Sequence, residues 1–267
     1  MTPLPFFQVD AFATKAFEGN AAAVMPLDQW LPATVMQAIA AENNLSETAF
    51  TVPSETDNVD YDLRWFTPTV EVDLCGHASL AAGHILIHGP AVRFATRSGI
   101  LTVTRDGPLL RLELPAFAVE PGVEPGLTDA LGLPADTPTF LGRGGNGSAI
   151  ALLADEAAVR AVSPDFAALR TIDRLVIVTA PGDDTAVTSR VFAAFHGIDE
   201  DPVTGAAHAA LVPFWAKKLG RARFTALQAS KRGGHIDCEL KHAVGEEEGR
   251  VILGGQCVTV IEGHFQL

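Results

Sequence analysis

Apolar and polar positions follow two rhythms along this chain, and the switches between them mark its elements. "FFQVDAFA" (residues 6–13) alternates and predicts a strand, with Gly19-Asn20 marking a turn soon after. "LPATVMQAIAAENN" changes to a helical period. Val35, Met36, Ile39 and Ala40 share one face there, and Pro32 suits the first turn. "ETAFTVP" and "YDLRWFTP" return to strand, the second ended by Pro68. "HASLAAGHILIHG" predicts a helix closed by Gly89. "VRFATRSGILTVTRDGPLLRLELP" alternates again, interrupted by Asp106-Gly107, a two-residue hairpin signal.

Beyond Pro115 the pattern starts over. "SAIALLAD", "RLVIVTAP" and "VTSRVFAAFHG" predict strands, and "AAHAALVPFWAKKLG" a helix whose middle Pro213 should disturb. Short strands end the chain. Cys75-Gly76-His77-Ala78 aligns with Thr204-Gly205-Ala206-Ala207 at an offset of 204 − 75 = 129, which suggests an internal duplication. The expected domains are residues 1–115, joined by the last strand at about 257–267, and residues 116–256.

Composition narrows the classes. The chain has 267 residues, 48% of them hydrophobic and 19% charged, enough for a sizeable core and too apolar for a disordered chain. A net charge of −13 argues against a nucleic-acid surface, which needs clustered Lys and Arg. No apolar run approaches the roughly 20 residues that span a bilayer, and the first residues lack a signal-peptide pattern. The three cysteines form no disulfide framework. A cytoplasmic protein with no membrane partner is the expectation.

Candidate chemistry gathers at the two glycine-containing turns. A helix start has unpaired N–H groups and a positive dipole end, a seat for a small carboxylate even in an acidic protein. Glu47, in "NNLSETAF", lies at a helix-to-strand junction; enclosure there would suit it to general-base work, whereas exposure would leave it a solvated connector. Asp201 before Pro202 reads either as a site residue or as a turn aspartate. His84 and His88 share a helical face but lack the glutamate of a zinc motif, so no metal is expected. "GRGGNG" (residues 142–147) lacks the ending of a phosphate loop and reads as a loop before a strand, and Trp65 and Phe66 read as packing residues.

Together "FQVDAFATKAFEGNAAAV", "NLSETAF", "RWFTPTVEVDLCGHASLAAGH" and "DEDPVTGAAHAAL" resemble, in order and spacing, the PhzF-like family of phenazine-biosynthesis isomerases. The resemblance implies an α/β (α+β) fold like that of diaminopimelate epimerase, with two pseudo-symmetric domains, each a curved mixed sheet around a central helix. It also implies a homodimer, no cofactor, and proton transfer on a dihydro-hydroxyanthranilate-like cyclic carboxylate. It makes Glu47 the general base, with His77 and Asp201 as supporting catalytic residues. The substrate-binding set is then Asn20, Ser46, Cys75, Gly76, Thr204, Gly205 and Ala206. Ala206 departs from the family's usual serine, Ala21 from its proline, and "LQASKRGGHID" from its "GRPS" segment. Related epimerases use two facing cysteines. Here Cys75 has Thr204 as its counterpart, which favours a packed Cys75 over a two-thiol racemase. The alternatives are an amino-acid epimerase and a catalytically silent binding homologue.

Overall fold

The computed structural model describes residues 3–143, 147–241 and 249–267. The chain divides into two units, Met1–Glu113 with Gly254–Leu267, and Leu114–Leu253.

The first unit runs β1 (Leu4–Ala11), β2 (Asn20–Pro26), α1 (Ala33–Asn43), β3 (Glu47–Pro53), β4 (Tyr61–Phe66), β5 (Glu71–Val72), α2 (Gly76–Leu86), β6 (Ala91–Thr96), β7 (Gly99–Asp106) and β8 (Leu109–Pro115). The second holds β9 (Val119–Pro121), α3 (Leu127–Leu131), β10 (Thr139–Gly142), β11 (Ser148–Leu152), α4 (Glu156–Ala161), α5 (Phe166–Leu169), β12 (Leu175–Pro181), β13 (Val187–Ala193), β14 (Ile198–Asp201), α6 (Gly205–Leu219), β15 (Arg223–Gln228) and β16 (Gly234–Lys241). β17 (Arg250–Gly255) leads back, and β18 (Cys257–Phe265) closes the first unit.

In the first unit β1 lies antiparallel between β18 and β2, β2 runs parallel to β3, β3 antiparallel to β4, β4 parallel to β6, and β6 antiparallel to β7. The two parallel pairs need crossovers, and α1 and α2 supply them. Side chains alternate along β3. Phe50 and Val52 pack with Met36 and Ile39 of α1, and Phe50 meets Phe66 edge-on at 5.6 Å. Burying a side chain such as Phe50 contributes about 1.5–3 kcal/mol. Glu47, Ala49 and Thr51 face the other side, where α2 packs against β1, β2, β3, β7 and β18. Gly76–Gly83 of α2 is buried throughout, as expected of a helix enclosed by a sheet. Gly83 has no room for a side chain: a Cβ there would sit 2.7 Å from Val103 Cγ1.

The second unit repeats this order of pairings. β10 lies antiparallel between β9 and β11, β11 runs parallel to β12, β12 antiparallel to β13, β13 parallel to β15, and β15 antiparallel to β16. β14 sits on β13 as β5 sits on β4. The central helices begin at Gly76 and Gly205, 205 − 76 = 129 residues apart. A core built from Val159, Leu169, Ile172, Val178 and Phe192 lies under α4 and α5. Each unit is thus a mixed sheet with a buried central helix, and the fold class expected from the motifs is the one observed.

Four local expectations change. β2 was expected only as a turn at Gly19-Asn20, because "NAAAVMP" is rich in alanine, a poor strand former. Its small side chains are buried between β1 and β3, so packing overrides propensity. α2 stops at Leu86, ahead of Gly89, and Pro90 biases the residue before it away from helix. The hairpin pairs Asp106 with Leu109, moving its two-residue turn to Gly107-Pro108. Pro213 does not break α6, which is continuous over 15 residues. Proline removes the N–H that would bond Ala209 O, and the backbone N–H of Phe117 takes that carbonyl at 2.9 Å.

The "GRGGNG" segment lies partly outside the described residues. Among the described residues no helix is long and apolar enough to cross a membrane.

Candidate active site

The approach to α2 is locked before the helix begins. Arg64 on β4 forks onto Glu71 on β5, Nε to Oε1 at 2.7 Å and Nη2 to Oε2 at 2.9 Å. The Arg64 hydrogen bond holds the Glu71 carboxyl below its ordinary range, against the opposing pull of burial. The turn between these strands is closed by Thr67, whose Oγ1 accepts from the N–H groups of Thr69 and Val70. Cys75 then takes an extended conformation (φ −144°, ψ 114°) as the helix N-cap, with no side-chain cap on the first-turn N–H groups. The Ala78 N–H faces the Cys75 sulfur, and the Gly76 and His77 N–H groups open the helix ahead of it, where a carboxylate is favoured.

Glu47 comes from the opposite direction. α1 ends on Asn44 in the left-handed conformation (φ 49°), and three residues later Glu47 opens β3 beside Ala22 of β2. Asn20 opens β2, so Asn20, Glu47 and the start of α2 meet at one end of one unit.

The side chains form a chain of contacts. Ser46 Oγ donates to Asn20 Oδ1 at 3.2 Å, and Asn20 Nδ2 lies 3.3 Å from His77 Nδ1. Cys75 Sγ lies 3.6 Å from the same nitrogen. The other ring nitrogen, His77 Nε2, lies 3.0 Å from Glu47 Oε2. These two atoms are close but off the hydrogen-bond line, and both are buried without an in-line partner. Their contact is therefore mainly electrostatic. His77 and Glu47 side chains are 5% and 13% exposed.

Burial pulls the His77 imidazolium down, but a Cys75 thiolate and the Glu47 carboxylate pull it further up, to well above the ordinary value. Burial, and next Glu47, push the Cys75 thiol up to about 11. Cys75 thus keeps its proton near neutrality, leaving Glu47 as the effective partner of His77 there. A charged His77 needs an acceptor for Nδ1–H, supplied by Cys75 Sγ or by a reversed Asn20 amide. Glu47, Cys75 and His77 also place one ligand-type atom each within 4.8 Å of one another.

The second unit builds an analogous helix start with different side chains. Arg190 forks onto Glu200 at 2.7 and 3.0 Å, and 200 − 71 = 129. Thr204 is the N-cap of α6 in an extended conformation, as Cys75 is of α2. Its Oγ1 donates to Asp201 Oδ2 at 2.5 Å, and its N–H donates to Gln228 Oε1 at 2.9 Å. Gln228 Nε2 donates to the Asp201 carbonyl at 2.7 Å. His208, one turn into α6, lies beside the Thr204 carbonyl, Nδ1 to O at 2.9 Å. Gly205 is buried and Ala206 is exposed at the helix mouth.

Sequence comparison bears on this architecture across nearly its whole length. A profile of the phenazine biosynthesis-like protein family, PhzC-PhzF, matches residues 9–263. The chain belongs to this family. An uncharacterized isomerase of Pseudomonas aeruginosa is 45% identical over 271 residues, covering 99% of each chain. A crystal structure of a PhzF-family phenazine biosynthesis protein from Enterococcus faecalis is similar with TM-score 0.90 and 42% identity, covering 100% of both chains. A hydroxyproline epimerase from Agrobacterium vitis shares the fold, with TM-score 0.66 at 12% identity, covering 99% of this chain and 93% of that one. These matches support the isomerase class at the level of the family.

For this PhzF-family chain, the structure brings Asn20, Ser46, Glu47, Cys75, Gly76 and His77 together in the first unit. It groups Asp201, Thr204, Gly205 and Ala206 in the second. Arg64, Glu71, Arg190, Glu200 and Gln228 escaped sequence reasoning, and His208 drew attention only as a histidine that joins no metal set. Gln228 had a signal, since it sits in the segment that departs from the family pattern. His208 had one too, as a histidine four residues after Thr204 on a helix.

Proposed function

We propose that this chain is a cofactor-independent isomerase that moves a proton on a small cyclic carboxylate, such as a dihydro-hydroxyanthranilate-like compound. The observation that carries this reading is the buried Glu47–His77 pair, 3.0 Å apart at the uncapped start of α2. The N–H groups of Gly76 and His77 at that turn receive the substrate carboxylate. Glu47 removes a proton from a ring carbon, and the C–H electron pair moves along the conjugated system. Glu47 then returns the proton to a carbon further along, so nothing is oxidised or reduced. The positive charge of His77 steadies Glu47 while it is an anion and holds its side chain in place. In the second unit Asp201, which accepts from Thr204, lies beside the helix start at Gly205 and Ala206, and Ala206 brings no hydroxyl to it.

Two-thiol epimerisation is disfavoured. Thr204 holds the N-cap place that corresponds to Cys75, and a thiol pushed up to about 11 is a poor base near neutrality. The deciding experiment is solvent-deuterium exchange into a bound cyclic carboxylate. Exchange should depend on Glu47; a Glu47→Gln protein that exchanges as fast as wild type would end this reading.

A further inference from the structure

The geometry points to a second capability of the Glu47–Cys75–His77 cluster: it binds a thiophilic divalent cation, zinc(II) or cobalt(II), which switches the site off. The inhibitory part rests on the proton-transfer role proposed for Glu47, whereas the binding does not.

The donor set is a thiol, an imidazole and a carboxylate, the three groups from which zinc sites are made. With Zn–N and Zn–O near about 2.0–2.2 Å and Zn–S about 2.3 Å, tetrahedral donors stand about 3.3–3.7 Å apart. Glu47 Oε2 and His77 Nε2 are 3.0 Å apart, Cys75 Sγ is 3.6 Å from His77 Nδ1, and one donor atom from each residue lies within 4.8 Å of the other two. Shifts of about an ångström would close the set around one ion, within the reach of χ rotations about staggered minima.

Independent of that proximity, the two buried atoms Glu47 Oε2 and His77 Nε2 lack in-line partners. They meet each other only as a 3.0 Å charge contact off the hydrogen-bond line, and a cation that displaces the His77 Nε2 proton would take a well-aimed lone pair from each. The ring is also steadied from behind, as metal-binding imidazoles are. Nδ1 faces Asn20, and Asn20 is held in turn by Ser46.

Binding balances without a redox partner. The Cys75 S–H proton leaves to solvent as the sulfur–metal bond forms, and a protonated His77 releases its Nε2 proton likewise. Three protein ligands leave a fourth position for water or for the carboxylate of a ligand. Once the Glu47 lone pair is on the metal, it can no longer take a proton from carbon.

The test is a titration of the full chain with cobalt(II) alone, read as the near-ultraviolet thiolate-to-cobalt charge-transfer band. The band should appear in wild type, persist in Cys238→Ser and Cys257→Ser, and vanish in Cys75→Ser. Glu47→Gln, which keeps shape but offers a poor ligand, should weaken cobalt binding by about tenfold or more. Zinc(II) at about ten times its dissociation constant should lower deuterium exchange by about tenfold, and a chelator should restore it. Absence of the band in wild type, or its survival in Cys75→Ser, overturns the proposal. The band is read without substrate, so its absence leaves the proton-transfer reading intact. Conversely, loss of that reading leaves the band unchanged.

Discussion

The guanidinium of Arg190 forks onto both carboxylate oxygens of Glu200, as that of Arg64 does onto Glu71. Each arginine also lies over the phenylalanine two residues on, Arg190 at 5.1 Å from Phe192 and Arg64 at 5.3 Å from Phe66. The same clamp therefore sits just ahead of each central helix. The clamps differ in what else they hold. Glu71 has a second partner in Arg97, while Arg190 also donates to the carbonyl of Val162 at 2.7 Å. Arg190→Met should accordingly destabilise the fold by about 2–3 kcal/mol, and Arg64→Met by about 1–2 kcal/mol. Urea midpoints with unchanged slopes would measure both, and equal losses would contradict this ranking.

Much of this symmetry was readable because the helix starts keep their glycines and their spacing, Gly76 to Gly205. The clamp was not, because the paired arginines are offset by 190 − 64 = 126 residues while the glutamates are offset by 129. A difference of three residues between the arginine and the glutamate hides the equivalence from any single fixed offset. β2 was hidden for another reason. Its alanines are chosen for close packing, and propensity reads only the local chain. Pro213 is a third kind of failure, since the partner that rescues its helix, Phe117, lies far away in sequence. Among the site residues, Glu47 and His77 were legible as types at junctions, but their 3.0 Å contact comes from the β2–β3 register and the placement of α2.

Replacing Glu47 should separate chemistry from folding. Glu47→Gln keeps the side-chain shape but removes the negative charge beside His77. Deuterium exchange should fall by about a hundredfold or more, the usual scale of a lost general base. The His77 imidazolium should also move down, because burial then acts without the carboxylate that opposes it. The two effects are measured separately, by exchange kinetics and by NMR titration of the ring. A large loss of exchange with an unmoved His77 would detach the histidine from the base.

Cys75 should behave as a buried thiol. It is 7% exposed and pushed up to about 11, chiefly by burial. Alkylation near neutral pH should be slow for Cys75, because the thiolate is the reacting species. Cys75→Ala should lower exchange far less than Glu47→Gln, by under about tenfold, since general-base chemistry remains. Peptide mapping after timed alkylation, with exchange rates on the same samples, tests both statements. Fast labelling of Cys75 together with loss of turnover would reinstate the thiol as the proton carrier.

His208 makes the second unit sensitive to acid. It is 1% exposed, its Nδ1 is engaged by the Thr204 carbonyl, and its Nε2 is buried without a hydrogen-bond partner among the described residues. Burial pushes its imidazolium down to about 4, only weakly opposed by that carbonyl. In the unfolded chain the ring returns to about 6.5, so there it binds a proton that the folded state refuses. Stability is therefore complete above about pH 6.5 and falls as the pH drops toward about 4. From about pH 7 to about pH 5 the linkage amounts to about 2 kcal/mol. His208→Gln keeps a donor for the Thr204 carbonyl but cannot be charged, so it should lose about 2 kcal/mol less than wild type over that range. Denaturant midpoints of the two proteins at both pH values make the comparison. Parallel losses would mean that His208 is solvated or already charged in the native state.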